Sequence, residues 1–179
     1  MIYITDKVQK LKESEDILSK IDDNLKTIKA LLLEQDALEA VEFSIWLKDK
    51  TDFRYNKEID SNIRMLNNQI YWANLGLNIG SEQELCRPVL IIQTSRESTV
   101  CSIIPLTLER LNDDRDYHVD LENGKSTALV EQVRVISKIR IYRYHYEKGR
   151  YATITEGDWT KINEQLGKLY VLKPLFKKK

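Results

Sequence analysis

Residues 1–66 contain neither glycine nor proline. The six glycines and three prolines of this 179-residue chain all lie beyond that point, so the first third carries none of the residues that interrupt a helix. Cysteine is scarce as well. Cys86 and Cys101 are the two present, with no CxxC and no His/Cys ligand spacing. That excludes a disulfide framework and a zinc site and fits a reduced, intracellular chain. The opening residues MIYITDKVQKLKESED lack the apolar core of a signal peptide, and no stretch approaches about 20 apolar residues. The expectation is a soluble, cytoplasmic protein. Net charge is absent too, with 28 basic against 28 acidic side chains. The balance is uneven along the chain: 11 basic and 14 acidic in residues 1–66, then 17 and 14 in residues 67–179. The mild positive bias of the second part is compatible with a polyanionic partner and does not demand one.

What is present falls into two textures, which predict a helical extension over residues 1–66 and a second domain over residues 67–179. In the first, Val8, Leu11, Leu18, Ile21, Leu25, Ile28 and Leu32 recur at steps of three and four, with Glu15 in one seam position. This heptad stripe predicts a helix, and its narrowness and charged flanks suit a coiled coil or helical hairpin. A helix packed on its own domain is the alternative. Leu31, Leu38, Val41 and Ile45 continue the stripe with a slight rotation, as a stutter would give. Thr5 or Asp6 is a candidate N-cap. A shorter helix is expected over about Lys57 to Leu66, on the stripe Ile59, Ile63 and Leu66.

The second texture is β-branched. Strands are predicted at 70–75, 88–93, 98–106, 117–121, 127–136 and 150–155, with Asn123-Gly124 as a hairpin turn. Short strands at close spacing suggest a small barrel. A final helix begins with a capping-box pattern, Thr155 and Asp158, and presents Trp159, Ile162, Leu166 and Leu169 on one face.

Arg87 stands at the mouth of the second strand, followed by Pro88. The proline fixes its own φ and drives Arg87 toward extended geometry. A guanidinium held there is either a salt-bridge partner for Glu82 or Glu84, or a fork of donors for phosphate oxygens. Thr107 ends the hydrophobic run IIPLT, where its hydroxyl should reach the surface. If the two strands pair antiparallel, the start of one lies beside the end of the next. Arg87 and Thr107 then meet at one rim, with Glu82 on the adjoining loop. His118 and His145 offer a two-histidine acid–base alternative. The run KIRIYRYHYEKGRY interleaves Arg140, Arg143, Lys148 and Arg150 with four tyrosines. It reads either as a stacking surface for nucleic acid bases or as an ordinary strand with alternating faces.

The segments IYWANLGLNIGSEQELCRPVLIIQ, IIPLT and ALVEQVRVISKIRI, in that order and spacing, resemble the MazF/PemK toxins of type II toxin–antitoxin systems, over roughly residues 69 to 172. The resemblance implies an α+β chain with an SH3-like barrel of the CcdB/MazF kind, and a homodimer. It further implies a metal-independent endoribonuclease, without cofactor, that cuts single-stranded mRNA at a short sequence and is silenced by a cognate antitoxin protein. Carried over motif by motif, it makes Arg87 and Thr107 the catalytic pair. Gly80, Ser81, Glu82 and Gln83 become the loop lining the RNA path, and Glu131 and Gln132 lie near the dimer groove. On chemistry, Glu82 suits the general base better than an arginine. Where the family commonly has Gly-Asp or Gly-Glu before the first strand, this chain has Asn68-Gln69. Where a second hydroxyl often follows the threonine, it has Leu108. The rival class is a non-catalytic binding toxin, like the CcdB branch of the same fold. The helices before residue 67 lie outside the resemblance. They would either dimerise or tether the chain, or mask the RNA groove.

Overall fold

The computed structural model describes residues 16–60 and 62–171. The proposed N-cap at Thr5 or Asp6, the stripe positions Val8, Leu11 and Glu15, and the basic tail at the end of the chain lie outside them. The chain divides into two compact units, residues 1–48 and 49–179. No helix among the described residues is long and apolar enough to cross a membrane.

Two helices precede the sheet, α1 (Asp16–Leu33) and α2 (Ala37–Tyr55). The stripe rotation expected as a stutter is a break between them. Asp36 makes that break, its carboxylate accepting from the backbone N–H of Leu38 at 2.9 Å and Glu39 at 3.3 Å. This is an N-cap, which restarts a helix with a new phase. Within the first unit the apolar stripe is open: Leu18 is 74% exposed and Leu25 58%.

The helix expected over Lys57–Leu66 does not form. Asp60 instead closes a turn, accepting from Asn62 N at 2.9 Å through its carboxylate and from Ile63 N at 3.2 Å through its carbonyl. Tyrosine hydroxyls then take the main-chain groups a helix would have satisfied. Tyr144 Oη accepts from Arg64 N at 2.8 Å and Tyr71 Oη from Leu66 N at 2.9 Å. Tertiary partners outweigh a weak local preference.

An antiparallel sheet follows, built from β1 (Ile70–Asn74), β2 (Cys86–Gln93), β3 (Val100–Thr107), β4 (His118–Asp120), β5 (Thr127–Leu129), β6 (Arg134–Ser137) and β7 (Ile141–Tyr144). Its order is β4-β5-β3-β2-β1-β7, with β6 also on β3, and it is not closed. A two-stranded ribbon, β8 (Tyr146–Glu147) with β9 (Arg150–Tyr151), and helix α3 (Glu156–Tyr170) complete the fold. The α+β class is as expected. The long strand expected over 127–136 is split by a 3-10 turn at Val130–Gln132. This lets β3 change partners, from β6 along Val100–Ile103 to β5 along Leu106–Thr107. The run KIRIYRYHYEKGRY, read either as a stacking surface or as an ordinary strand, contains the short strands β7 and β8, and the strand expected over 150–155 shrinks to β9. The hairpin at Asn123-Gly124 forms, with Gly124 at φ 67°.

The unbroken apolar run of β2 has a simple cause, since both faces of the strand are covered. Val89 and Ile91 join one core with Tyr71, Ala73, Cys101, Ile103 and Ile141. Leu90 joins the other with Ile70, Ile104, Leu106, Val130 and Ile162 of α3. Each such side chain, fully buried, is worth roughly 1.5–3 kcal/mol. The capping box of α3 forms as predicted. Thr155 Oγ1 accepts from Asp158 N, and Asp158 Oδ2 accepts from Thr155 N, both at 3.0 Å. Asp158 is 2% exposed and also accepts from Glu122 N at 2.8 Å, tying α3 to the turn between β4 and β5. Asp158→Ala strands two N–H donors at a buried site. It should therefore lower unfolding stability by about 2–3 kcal/mol, measured as a shift in urea midpoint at unchanged m-value.

Candidate functional site

The site is set by strand register. β2 and β3 pair with Val89 opposite Pro105, Leu90 opposite Ile104 and Ile91 opposite Ile103. Continuing that register by two residues sets Arg87 across from Thr107, on the same face of the sheet. On the other side of β2, Arg87 is opposite Ala73 of β1. On the other side of β3, Thr107 is opposite Thr127 of β5. One row thus runs Ala73, Arg87, Thr107, Thr127, at the rim of the first core. Because β5 flanks it, Thr107 is not the surface hydroxyl expected from sequence, being 8% exposed. Its Oγ1 accepts from Glu109 N at 3.2 Å, which leaves its own O–H to donate.

The loop between β1 and β2 is closed at its neck. Leu75 N donates to Leu85 O at 2.8 Å, and Leu85 N to Gly76 O at 2.6 Å. Gly80 at φ 63° supplies the left-handed corner at its tip. Gln83 is the residue through which the loop meets the sheet. Its backbone N–H donates to Gln132 Oε1 at 2.7 Å, and Gln132 Nε2 donates to Ser81 O at 3.2 Å. The Gln83 carboxamide oxygen accepts from Arg87 Nη1, and the Gln83 carbonyl accepts from Arg134 Nη2 and from Asn78 Nδ2, the last at 2.7 Å. Arg87 Nε donates to Glu84 O at 2.6 Å. Arg87 is therefore held by neutral oxygens of the loop. Two of its five N–H groups are so engaged, leaving charged donors at the rim for a ligand.

The electrostatics follow the same plan. Burial pulls the Arg87 pKa down, and the charges of Glu109 and Glu84 push it back up. Glu82, the carboxylate expected beside Arg87, acts on Arg134 instead: burial lowers Arg134, Glu82 raises it, and Arg140 and Arg87 lower it further. Hydrogen bonds thus bring Ser81, Gln83, Arg87 and Gln132 together, with Gly80 and Glu82 on the same loop and Thr107 across the sheet from Arg87 by register. Glu131 turns elsewhere. Its Oε1 lies 3.2 Å from His118 Nε2, while His118 Nδ1 sits 2.7 Å from Asp113. His145 faces Glu147 at 3.8 Å, separate from His118. Cys101 is in the core, its thiol pushed up to about 11 by burial. Among the described residues no cluster of His, Cys, Asp and Glu side chains could hold a metal ion.

Two contributors went unnoticed in the sequence. Glu109 was signalled only by standing two residues after Thr107. Arg134 stood in QVR next to Gln132, but its role depends on the pairing of β6 with β3. The departure at Asn68 is accommodated: it takes φ 64°, a left-handed conformation that glycine adopts freely and asparagine tolerates.

A family model described as PemK-like, MazF-like toxin of type II toxin-antitoxin system matches residues 67–170, more than half of the chain. No curated protein matches significantly. Similar solved structures include MazF (Form-I) from Deinococcus radiodurans, 17% identical with a TM-score of 0.49, covering 60% of this chain and 96% of that one. The MazE-MazF (Form-II) structure from the same organism is 16% identical with a TM-score of 0.46 and the same coverage. Mycobacterium tuberculosis toxin MazF-mt6 is 15% identical with a TM-score of 0.41, covering 57% of this chain and 95% of that one.

Gln132→Ala removes the two bonds that the Gln132 carboxamide makes to the loop. At about 1 kcal/mol each, their loss should raise local opening by a factor of ~30. Faster hydrogen exchange at the Gln83 amide, with the core strands unchanged, is the expected reading.

Proposed function

The chain belongs to the PemK-like, MazF-like family of toxins of type II toxin–antitoxin systems, and we propose that it is an endoribonuclease cleaving single-stranded mRNA at a short sequence. The observation that carries this reading is the strand register that, continued by two residues, sets Arg87 across from Thr107, beside a loop whose neutral oxygens accept from the guanidinium. In the reaction, the 2′-oxygen attacks the adjacent phosphorus and the bond to the 5′-oxygen breaks, leaving a cyclic phosphate and a 5′-hydroxyl. Arg87 stabilises the charge that develops on the non-bridging oxygens, and Thr107 donates to one of them. Neither task needs a cofactor. The Gln83 carboxamide is a neutral acceptor, whereas a phosphate is itself charged and can accept from the guanidinium bidentately, so a phosphate outcompetes it for Arg87.

A carboxylate takes the 2′-proton, and the departing 5′-oxygen takes a proton from water. Glu82 fills this role from the loop; Glu109, whose charge acts on Arg87 itself, is its rival. Gly80, Ser81, Gln83 and Gln132 line the RNA path, and Glu131 lies near the dimer groove. Residues 67–179 form the catalytic domain and residues 1–66 an extension. The natural silencer is a cognate antitoxin protein over the same rim, and the working form is a homodimer. The open leucine stripe of α1 is the surface an association through the extension would cover.

Purified full-length chain incubated with long single-stranded RNA in EDTA should give discrete fragments. Arg87→Ala and Thr107→Val, folded by circular dichroism, should each lose about 10²–10³ in rate. Intact RNA with the unmodified chain would favour the binding-toxin class, and retained cleavage by Arg87→Ala would remove that residue from the chemistry. Comparing Glu82→Gln with Glu109→Gln under single-turnover conditions assigns the base, which is whichever costs about 10² or more. For the extension, Leu18→Asp combined with Leu25→Asp should shift full-length chain toward monomer in sedimentation, since each leucine buried at an interface contributes roughly 1.5–3 kcal/mol.

A further inference from the structure

Three guanidinium groups collect around the loop between β1 and β2. Arg87 donates to the Glu84 carbonyl, Arg134 to the Gln83 carbonyl, and Arg140 to the Leu75 carbonyl at 2.9 Å. Arg134 sits on β6 opposite Ile103 of β3, four residues before Thr107 and on the same face of the sheet. Its Nε is buried with no hydrogen-bond partner, an arrangement that costs about 1–3 kcal/mol unless something compensates. Its positive neighbours are Arg87 and Arg140, and the carboxylate acting on it is Glu82. Crowded positive charge with a spare donor and one facing carboxylate is poor as a stability device and well suited to an anion. One residue, Gln83, ties up both guanidiniums, Arg87 through its carboxamide and Arg134 through its carbonyl. Whatever displaces Gln83 frees the two together.

We propose that Arg134 is a second phosphate-binding residue: a single-stranded nucleic acid that sets one phosphate on Arg87 lays a neighbouring phosphate on Arg134 once Gln83 has moved aside. The inference rests on the nuclease reading for which phosphate is cut, but the binding itself needs no cleavage. Arg134 thereby fixes the direction and register of the strand across the rim. A lysine can replace its charge but not its planar fork.

The test uses the full-length chain and a fluorescent single-stranded oligonucleotide that is 2′-deoxy throughout and so lacks the attacking hydroxyl. Affinity is measured over a range of NaCl concentrations for the unmodified chain, Arg134→Gln and Arg134→Lys. Each phosphate contact on a single strand adds about 0.7 to the slope of log affinity against log salt. Arg134→Gln should lose about that much, and Arg134→Lys should keep it. An unchanged slope in folded Arg134→Gln overturns the proposal, as does failure of the unmodified chain to bind. Should Arg134→Gln not fold, the nitrogen-15 resonance of arginine Nε in the unmodified chain gives the answer. Adding the oligonucleotide should move the Arg134 and Arg87 signals together, and movement of Arg87 alone is the overturning result. Cleavage of the matching ribo-oligonucleotide is scored separately. Its absence alongside the slope change sinks the nuclease reading and leaves Arg134 standing, whereas cleavage without the slope change sinks Arg134 alone.

Discussion

Everything at the rim depends on the antiparallel register of β2 against β3. Val89 faces Pro105, and the same register continued by two residues sets Arg87 across from Thr107. The register is strongly determined because both faces of β2 are buried. A slip of one residue would exchange Val89 and Ile91 with Leu90 between two differently shaped cores and carry Arg87 to the other face. The core packing that stabilises the domain and the geometry that positions the site are therefore one constraint. Pro88 reinforces it from the chain side, since it holds the backbone extended where the loop ends and the strand begins.

The loop adds a second layer of order. Its neck is fastened by backbone bonds, its corner by Gly80, and its approach to the sheet by Gln83 and Gln132. Seen from the sheet, the loop offers oxygens to three arginines. Seen from the loop, the arginines share Gln83 with Gln132 and Asn78. This reciprocity helps half-buried guanidiniums to be tolerated, since each gives at least one donor to a carbonyl or carboxamide dipole of the loop.

Features with a local cause were legible in the amino-acid sequence. The Thr155–Asp158 box, the Asn123-Gly124 turn and the buried runs of β2 and β3 each carry their signal within a few residues, and the pairing of Arg87 with Thr107 followed from adjacency of two strands. Features with a distant cause were not. The segment before β1 loses its expected helix to the hydroxyls of Tyr71 and Tyr144, and the latter lies 80 residues from its partner Arg64. β7 was ambiguous because alternating tyrosine and arginine suits a surface as well as a strand. Glu131 and Gln132 looked equivalent, yet a 3-10 turn sends one toward His118 and the other toward the loop. Arg134 and Glu109 gain their meaning from cross-strand neighbours that no spacing along the chain reveals.

The loop is latched to the sheet by carboxamides, peptide groups and guanidiniums, and none of these changes protonation anywhere in the physiological range. Acidity therefore gives no handle on the latch. If Arg134 takes a second phosphate as proposed, a lone small ion engages one arginine at a time, whereas a polymer whose charges arrive in series engages both and gains from each.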